Sequence, residues 1–251
     1  MSKFKTFFWL FVFGFLFYLI WQLFLSIDVR ILKDHYPKSI LLKENKLERR
    51  IEMVSKRPSE WTLLSGIARK TILSVIIRED LLFYQHSGID MEQIRYAIQD
   101  TLEKGKFTRG ASTITQQVVK NVFLTNQKSL WRKAREIILA KKLEKTISKK
   151  KILEIYFNIA EWGPSIYGIN AAAWYYFKKN PSELNLRESA FLAILLPSPK
   201  RYSISFRQKK LTRYARSAMK STFRRLVKAG YISAQEMQTA MEERFDWELT
   251  P

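Results

Sequence analysis

Hydrophobic positions follow two regimes along this chain. From Phe7 to Ile27 they are almost continuous, "FFWLFVFGFLFYLIWQLFLSI", interrupted only by Gly14, Gln22 and Ser26 and carrying no formal charge. A helix needs ~20 such residues to cross a ~30 Å hydrocarbon layer, so residues 7–27 are expected to form a transmembrane helix. The run is longer than the ~7–15 residue core of a cleaved leader, and no A-x-A-like site follows it. Lys3 and Lys5 favour keeping the tail, residues 1–6, in the cytoplasm, with the remainder outside.

Beyond that run, apolar positions recur at three- and four-residue spacing. "DMEQIRYAIQDTLEKG" begins at Asp90, sets Ile94, Ala97, Ile98 and Leu102 on one stripe, and stops at Gly105. "STITQQVVKNVFL" starts at a Ser112 or Thr113 cap with Ile114, Val118 and Val122 inward. Ser129 opens a helix with Leu130, Ala134, Ile137 and Ile138 inward; Ser148 opens another with Ile152, Ile155 and Tyr156. "NLRESAFLAILLPSP" ends at Pro197, and Ser233 with Glu236 forms a capping-box pattern that starts a C-terminal helix within 231–251. Residues 28–70, punctuated by Pro37 and Pro58, look like a connector of short amphipathic pieces. No alternating run of convincing length appears, so the expected fold is all-α, mainly helical, with at most a small hairpin.

Composition narrows the chemistry. There is no cysteine, so thiolate nucleophiles, thiolate metal sites and disulfides are excluded. The formal charge of +21 calls for an anionic partner, and "KRYSISFRQKKLTRYARSAMKSTFRRLVK", residues 200–228, has no acid at all. Nucleic acid is the first idea such a charge suggests. Beside a membrane helix, anionic headgroups or a lipid pyrophosphate fit as well.

Three stretches could carry chemistry. "IIREDLLFYQHSGID", residues 76–90, sets Glu79 and Asp80 against an aliphatic run, with His86 downstream. Its spacing matches no zinc pattern. A helix start would favour acids in its first turn, whereas a carboxylate desolvated at the edge of an apolar run is suited to proton transfer. "RGASTITQQVVKN", residues 109–121, puts Arg109 and a hydroxyl-rich cap before a helix whose Thr113, Gln117 and Lys120 share a polar face. Backbone N–H groups there could hold an anion, although the Walker spacing is absent. In "KSLWRKAREIILA", Arg132 and Glu136 are four apart with Arg135 beside them. A surface ion pair in this cation-first order adds little stability.

Together "EDLLFYQHSG", "GASTITQQVVKN" and "RKAREIILAKKLEKTISKKKILEIYFN" resemble the glycosyltransferase domain of peptidoglycan synthases, the lysozyme-like family that polymerises lipid II. "SIYGINAAAWYYF" and "ESAFLAILLPSP" fit as well, so the resemblance runs over about residues 60–210. It implies a lysozyme-like, two-lobed domain over 60–230, with 28–70 as connector or jaw, and a monofunctional form because the chain ends at Pro251. It further implies that Glu79 is the general base and Glu136 the second essential acid, acting at the donor pyrophosphate directly or through a divalent cation such as Mg or Mn. By the same resemblance Asp80, Ser112, Thr113, Gln117, Lys120, Lys128, Arg132 and Arg135 would bind or support substrate. Lys128 stands where relatives often have Arg, which would turn a bidentate phosphate contact into a point-charge contact. Phe83, His86, Gly88 and Asn121 would hold the site's structure. The implied partners are lipid II, the undecaprenyl-pyrophosphate-linked glycan, membrane lipids and other cell-wall synthesis or division proteins, with nucleic acid set aside. The implied location is the outer face of the cytoplasmic membrane. A lysozyme-type hydrolase would share the fold and the catalytic Glu without needing pyrophosphate-binding cations, and a noncatalytic scaffold would need neither.

Overall fold

The computed structural model describes residues 3–25, 27–43, 47–105, 112–125 and 129–249. Helix α1 spans Lys3–Leu25. Its described large side chains are mostly exposed, Phe7 at 75% and Phe11 at 68% among them. Among the described residues no helix is long and apolar enough to cross a membrane; the side chains at 20 and 22–25 of α1 lie outside that set.

The connector's short amphipathic pieces include the hairpin that the sequence leaves room for. After a 3-10 turn at Val29–Lys33, strands β1, Tyr36–Lys43, and β2, Leu47–Val54, pair antiparallel from Tyr36 opposite Val54 to Lys43 opposite Leu47. The inward position that an alternating pattern reserves for an apolar side chain is taken by Arg49. Its guanidinium donates to the Ile159 carbonyl at 2.8 Å and Ser39 Oγ at 3.0 Å, and stacks 4.5 Å from the Tyr167 ring. An arginine that satisfies its donors while burying its stem keeps the hairpin seated but erases the period-two signal. Residues 61–64 are then fastened to the next layer: Glu154 accepts from Trp61 Nε1 at 3.0 Å and Leu64 N at 3.1 Å, and the Asn158 amide holds Thr62 N and O at 2.8 Å each.

Helices α2, Arg69–Glu79, α3, Met91–Lys104, α4, Ile114–Phe123, α5, Leu130–Glu144, and α6, Lys149–Ile159, follow. Asp90, Thr113, Ser129 and Ser148 cap four of them through side-chain oxygens, as their sequence positions require. A second, minimal hairpin, β3 at Glu161–Gly163 and β4 at Ile166–Tyr167, leads into α7, Ile169–Phe177. Helix α8, Leu186–Leu195, is buried along every residue and forms the centre of the molecule. A helix surrounded on all sides must be apolar all round, and its Arg187 and Glu188 are accommodated only because each has a partner. Short helices α9, Pro199–Tyr202, and α10, Ile204–Arg207, precede α11, Arg213–Lys228, α12, Ala234–Glu242, and α13, Asp246–Leu249. α2 and α11 pack on α8, and Phe245 and Trp247 close the same core through stacked rings 4.6 Å apart.

Two helix faces differ from the periodicity reading. On α3, Ile98 is 57% and Leu102 is 79% exposed, and of the expected stripe only Ala97 is fully buried. On α5 the buried face is Glu136, Leu139, Ala140 and Leu143, while Leu130 is 91% exposed. The α5 stripe is rotated because a charged residue, not an aliphatic one, is turned inward.

Candidate active site

The two adjacent acids stand at a helix end, not a helix beginning. Glu79 is the last residue of α2 and Asp80 its C-cap. A carboxylate at a helix C-terminus meets the negative end of the macrodipole, so neither acid is there to stabilise α2.

Asp80 is buried and spends both oxygens inside the protein. Oδ1 meets His86 Nε2 at 2.8 Å, and Oδ2 accepts the Ile114 N–H at 2.9 Å. His86 Nδ1 accepts from Gly88 N at 3.2 Å, so Nε2 carries the proton donated to Asp80. Phe83 is buried beside this ring, their centroids 6.3 Å apart. Gly88 has φ +90, and a Cβ there would lie 2.9 Å from the Ala140 carbonyl of α5. Its own carbonyl accepts from Thr113 Oγ1 at 2.7 Å. The segment after α2 thus locks the start of α4 and the back of α5 together. Asp80 and Thr113, expected to bind or support substrate, line the cleft beside Glu79, while their side-chain oxygens are engaged within the protein.

Helix α4 then reaches toward both acids. Gln116 turns back to its own cap, accepting from Thr113 N at 2.9 Å, which explains one of the two adjacent amides. Gln117 points the other way and donates from Nε2 to Glu79 Oε2 at 2.9 Å. The buried Tyr156 hydroxyl of α6 donates to Gln117 Oε1 at 3.4 Å and fixes which end of the amide faces the acid. Burial raises the Glu79 carboxyl above the ordinary glutamate value. The Gln117 hydrogen bond and the charges of Arg78 and Lys120 oppose the shift, while Asp80 adds to it. Burial also pushes the Tyr156 phenol well up, with Glu79 and Asp80 in the same direction, so it remains a neutral donor.

The second acid is held very differently. Glu136 is 2% exposed; Oε2 accepts from Arg132 Nη1 at 2.8 Å and Oε1 from Lys133 Nζ, which also reaches Ser112 Oγ at 3.0 Å. This buried, doubly bonded carboxylate is unlike the weak surface pair its spacing suggests. Lys120 is half-buried between the two acids. Burial lowers its ammonium below the usual lysine value and the charges of Arg132 and Lys133 press the same way, while Glu136 and Glu79 oppose. Arg135 and Asn121 are half-buried on α5 and α4. Lys128 and Arg109 lie outside the described residues.

A cleft of about 440 Å³ opens on Glu79, walled by Arg78, Ser112 and Gln93 and, from α11, by Arg225 and Lys228. Lys133, Tyr156, Arg225 and Lys228 were not singled out by the sequence reading as site residues. Lys133 was findable as a cation three residues before Glu136; the α11 pair joins the site only through the fold. Among the described residues no three His, Asp or Glu side chains gather into a set able to hold a metal ion. Both Glu136 oxygens are engaged by cationic side chains in this structure.

The chain is similar over 140 residues to the biosynthetic peptidoglycan transglycosylase of Brucella suis, at 47% identity, covering 56% of this chain and 62% of that protein. It is 36% identical over 188 residues to the protein of the same name from Thiobacillus denitrificans, covering 73% of this chain and 80% of the relative. The Rhizobium leguminosarum protein of that name is 47% identical over 55% of this chain and 59% of its own length. The chain therefore spans about three fifths of the Brucella and Rhizobium relatives. A family model described as transglycosylase matches residues 44–225, a stretch that contains both acids, α4, α5 and the lining of the Glu79 cleft as far as Arg225. The chain belongs to the transglycosylase family.

Proposed function

We propose that this chain is a membrane-anchored peptidoglycan glycosyltransferase that polymerises lipid II into β-1,4-linked glycan with release of undecaprenyl pyrophosphate. The observation that carries the reading is the amide contact to Glu79: a half-buried carboxylate of raised basicity, open to a cleft, with Lys120 of the same helix as that amide acting electrostatically on it and on Glu136.

In this reading the 4-hydroxyl of the acceptor GlcNAc lies at Glu79. The carboxylate takes its proton as the oxygen attacks the anomeric carbon of the donor MurNAc. The bond from that carbon to the pyrophosphate breaks, and its electron pair leaves with the lipid pyrophosphate, inverting the centre. Glu79 serves as the base does in inverting hydrolases, with a sugar hydroxyl in place of water. Lys120 and Arg132 neutralise the charge that grows on the leaving group. Glu136 holds Arg132 and Lys133 in place and so keeps that cationic wall assembled.

Membrane anchoring by residues 7–27 is supported by their uncharged sequence and by the exposed aromatic side chains of α1. Lys142 of α5 donates to the Ile27 carbonyl at 3.3 Å, which ties the end of that segment to the helix that carries Glu136. A lipid-linked substrate would then meet the cleft close to the bilayer, with the catalytic part, 60–230, on its outer face. The test is conversion of purified lipid II: polymer supports the reading, whereas breakdown of finished sacculi with lipid II left intact overturns it.

A further inference from the structure

The second large recess of the molecule lies between α8, α11 and α12, away from Glu79. Its volume is about 800 Å³, within the ~300–1,000 Å³ range of pockets that enclose organic ligands. One wall is cationic, with Lys210, Arg216 and Lys220; the opposite wall brings Glu242 and Glu243 next to Arg244. Lys210, Arg216 and Lys220 stand on an acid-free segment, and all three are exposed.

The floor holds a less ordinary feature. Arg187 is 7% exposed, and its guanidinium donates to the Ala240 carbonyl at 2.9 Å and pairs with Glu248 at 3.3 Å, yet its Nε has no hydrogen-bond partner. A buried donor without an acceptor costs roughly 1–3 kcal/mol, and the buried Arg187 adds a positive charge beneath the exposed lining of the recess. The six Lys and Arg of the lining outnumber its three acids, Glu242, Glu243 and Glu248, and those acids set it apart from a uniformly cationic surface of the kind that binds nucleic acid or an anionic bilayer. Such a lining is well matched to a chain that carries carboxylates and ammonium groups together.

We propose that this recess binds a zwitterionic peptide chain, of the kind carried as stems on the glycan strands that the cleft is proposed to make. The carboxylates would lie along Lys210, Arg216 and Lys220 and the ammonium groups along Glu242 and Glu243. Such a site would hold the enzyme against peptide-bearing wall material while the cleft works about 14 Å away, the span from Arg216 to Arg225 at 1.5 Å per residue along α11. The source of the peptide rests on the function proposed above; the binding chemistry does not.

The experiment is co-sedimentation of the full-length protein with purified sacculi, with sacculi stripped of their peptides by an amidase, and with phosphatidylglycerol vesicles and polyphosphate in detergent-matched buffer. We expect intact sacculi to be bound in preference to stripped ones and to polyphosphate. The double variant Arg216→Glu with Lys220→Glu should lower sacculus binding roughly tenfold or more, because like charges would then face each other, with lipid II polymerisation unchanged. Glu242→Lys with Glu243→Lys should weaken it as well, and circular dichroism checks that both variants fold. Equal binding to stripped sacculi, stronger binding to polyphosphate or vesicles, or folded variants that bind like the parent would each overturn the proposal. Peptide-dependent binding by a protein that does not convert lipid II would support the recess and overturn the reading of the cleft.

Discussion

Gln117 donates a single hydrogen bond to Glu79, 2.9 Å from Nε2 to Oε2, and that bond is the main contact favouring the charged form of a carboxylate that burial disfavours. Gln117→Leu removes it and raises the Glu79 pKa further. A general base works only when ionised, so the acid limb of kcat/KM should lie above the ordinary carboxylate range in the parent and move to higher pH in the variant. Initial rates of polymerisation across pH check the direction; an unmoved acid limb would separate Glu79 from the rate.

The same burial has a stability consequence. The folded pKa of Glu79 lies above the unfolded value of about 4.5, so its ionised form opposes folding at neutral pH. Glu79→Gln should therefore melt at a higher temperature than the parent at pH 7. The difference should close as pH falls below about 4.5, where the carboxyl is protonated in both states. Calorimetry at several pH values measures it.

Asp80 is expected to matter through geometry. Asp80→Asn presents an amide to a site where both neighbours, His86 Nε2 and Ile114 N, donate. One buried donor would lose its acceptor at a cost of about 1–3 kcal/mol, readable as a lowered urea midpoint, and kcat should fall as the start of α4 loosens.

Gly88→Ala should be destabilising for two independent reasons. The position has φ +90, and the new Cβ would meet the Ala140 carbonyl carbon and oxygen at 2.9 Å. A non-glycine residue held in such a conformation costs on the order of 1–3 kcal/mol before the clash is counted. Equilibrium denaturation tests this directly.

Much of this architecture is legible in the amino-acid sequence because helix ends are written locally. Asp90, Thr113, Ser129, Ser148 and Ser233 each cap a helix within reach of their own next residues, and Gly105 ends α3 at φ +61. The β1–β2 hairpin is hidden because Arg49 sits inward on the strength of contacts to Ile159 and Tyr167, more than a hundred residues away. The inward turn of Glu136 is hidden for a similar reason, since its burial depends on two cations closing over it at once. Gln117 is separable from Gln116 in the sequence because it shares a helix face with Thr113 and Lys120; the opposite orientations of the two amides rest on the Thr113 cap and the Tyr156 hydroxyl.

Glu136 and Lys120 are linked electrostatically, and the link has a sign. Glu136 raises the Lys120 pKa against burial and against Arg132 and Lys133. With Glu136→Gln that support is lost, the Lys120 ammonium titrates at lower pH, and the alkaline limb of polymerisation should shift down. Its rate at neutral pH should also fall, as Arg132 and Lys133 lose their common anchor.

The most direct measurement is single-turnover polymerisation of purified lipid II by the parent and by Glu79→Gln, with substrate binding and folding followed in parallel. The parent should form glycan polymer, and the variant should bind lipid II and fold normally while its rate drops by about 10²–10⁴, the range of a lost general base. A Glu79→Gln protein that polymerises at the parent rate would contradict the assignment of Glu79 as the base.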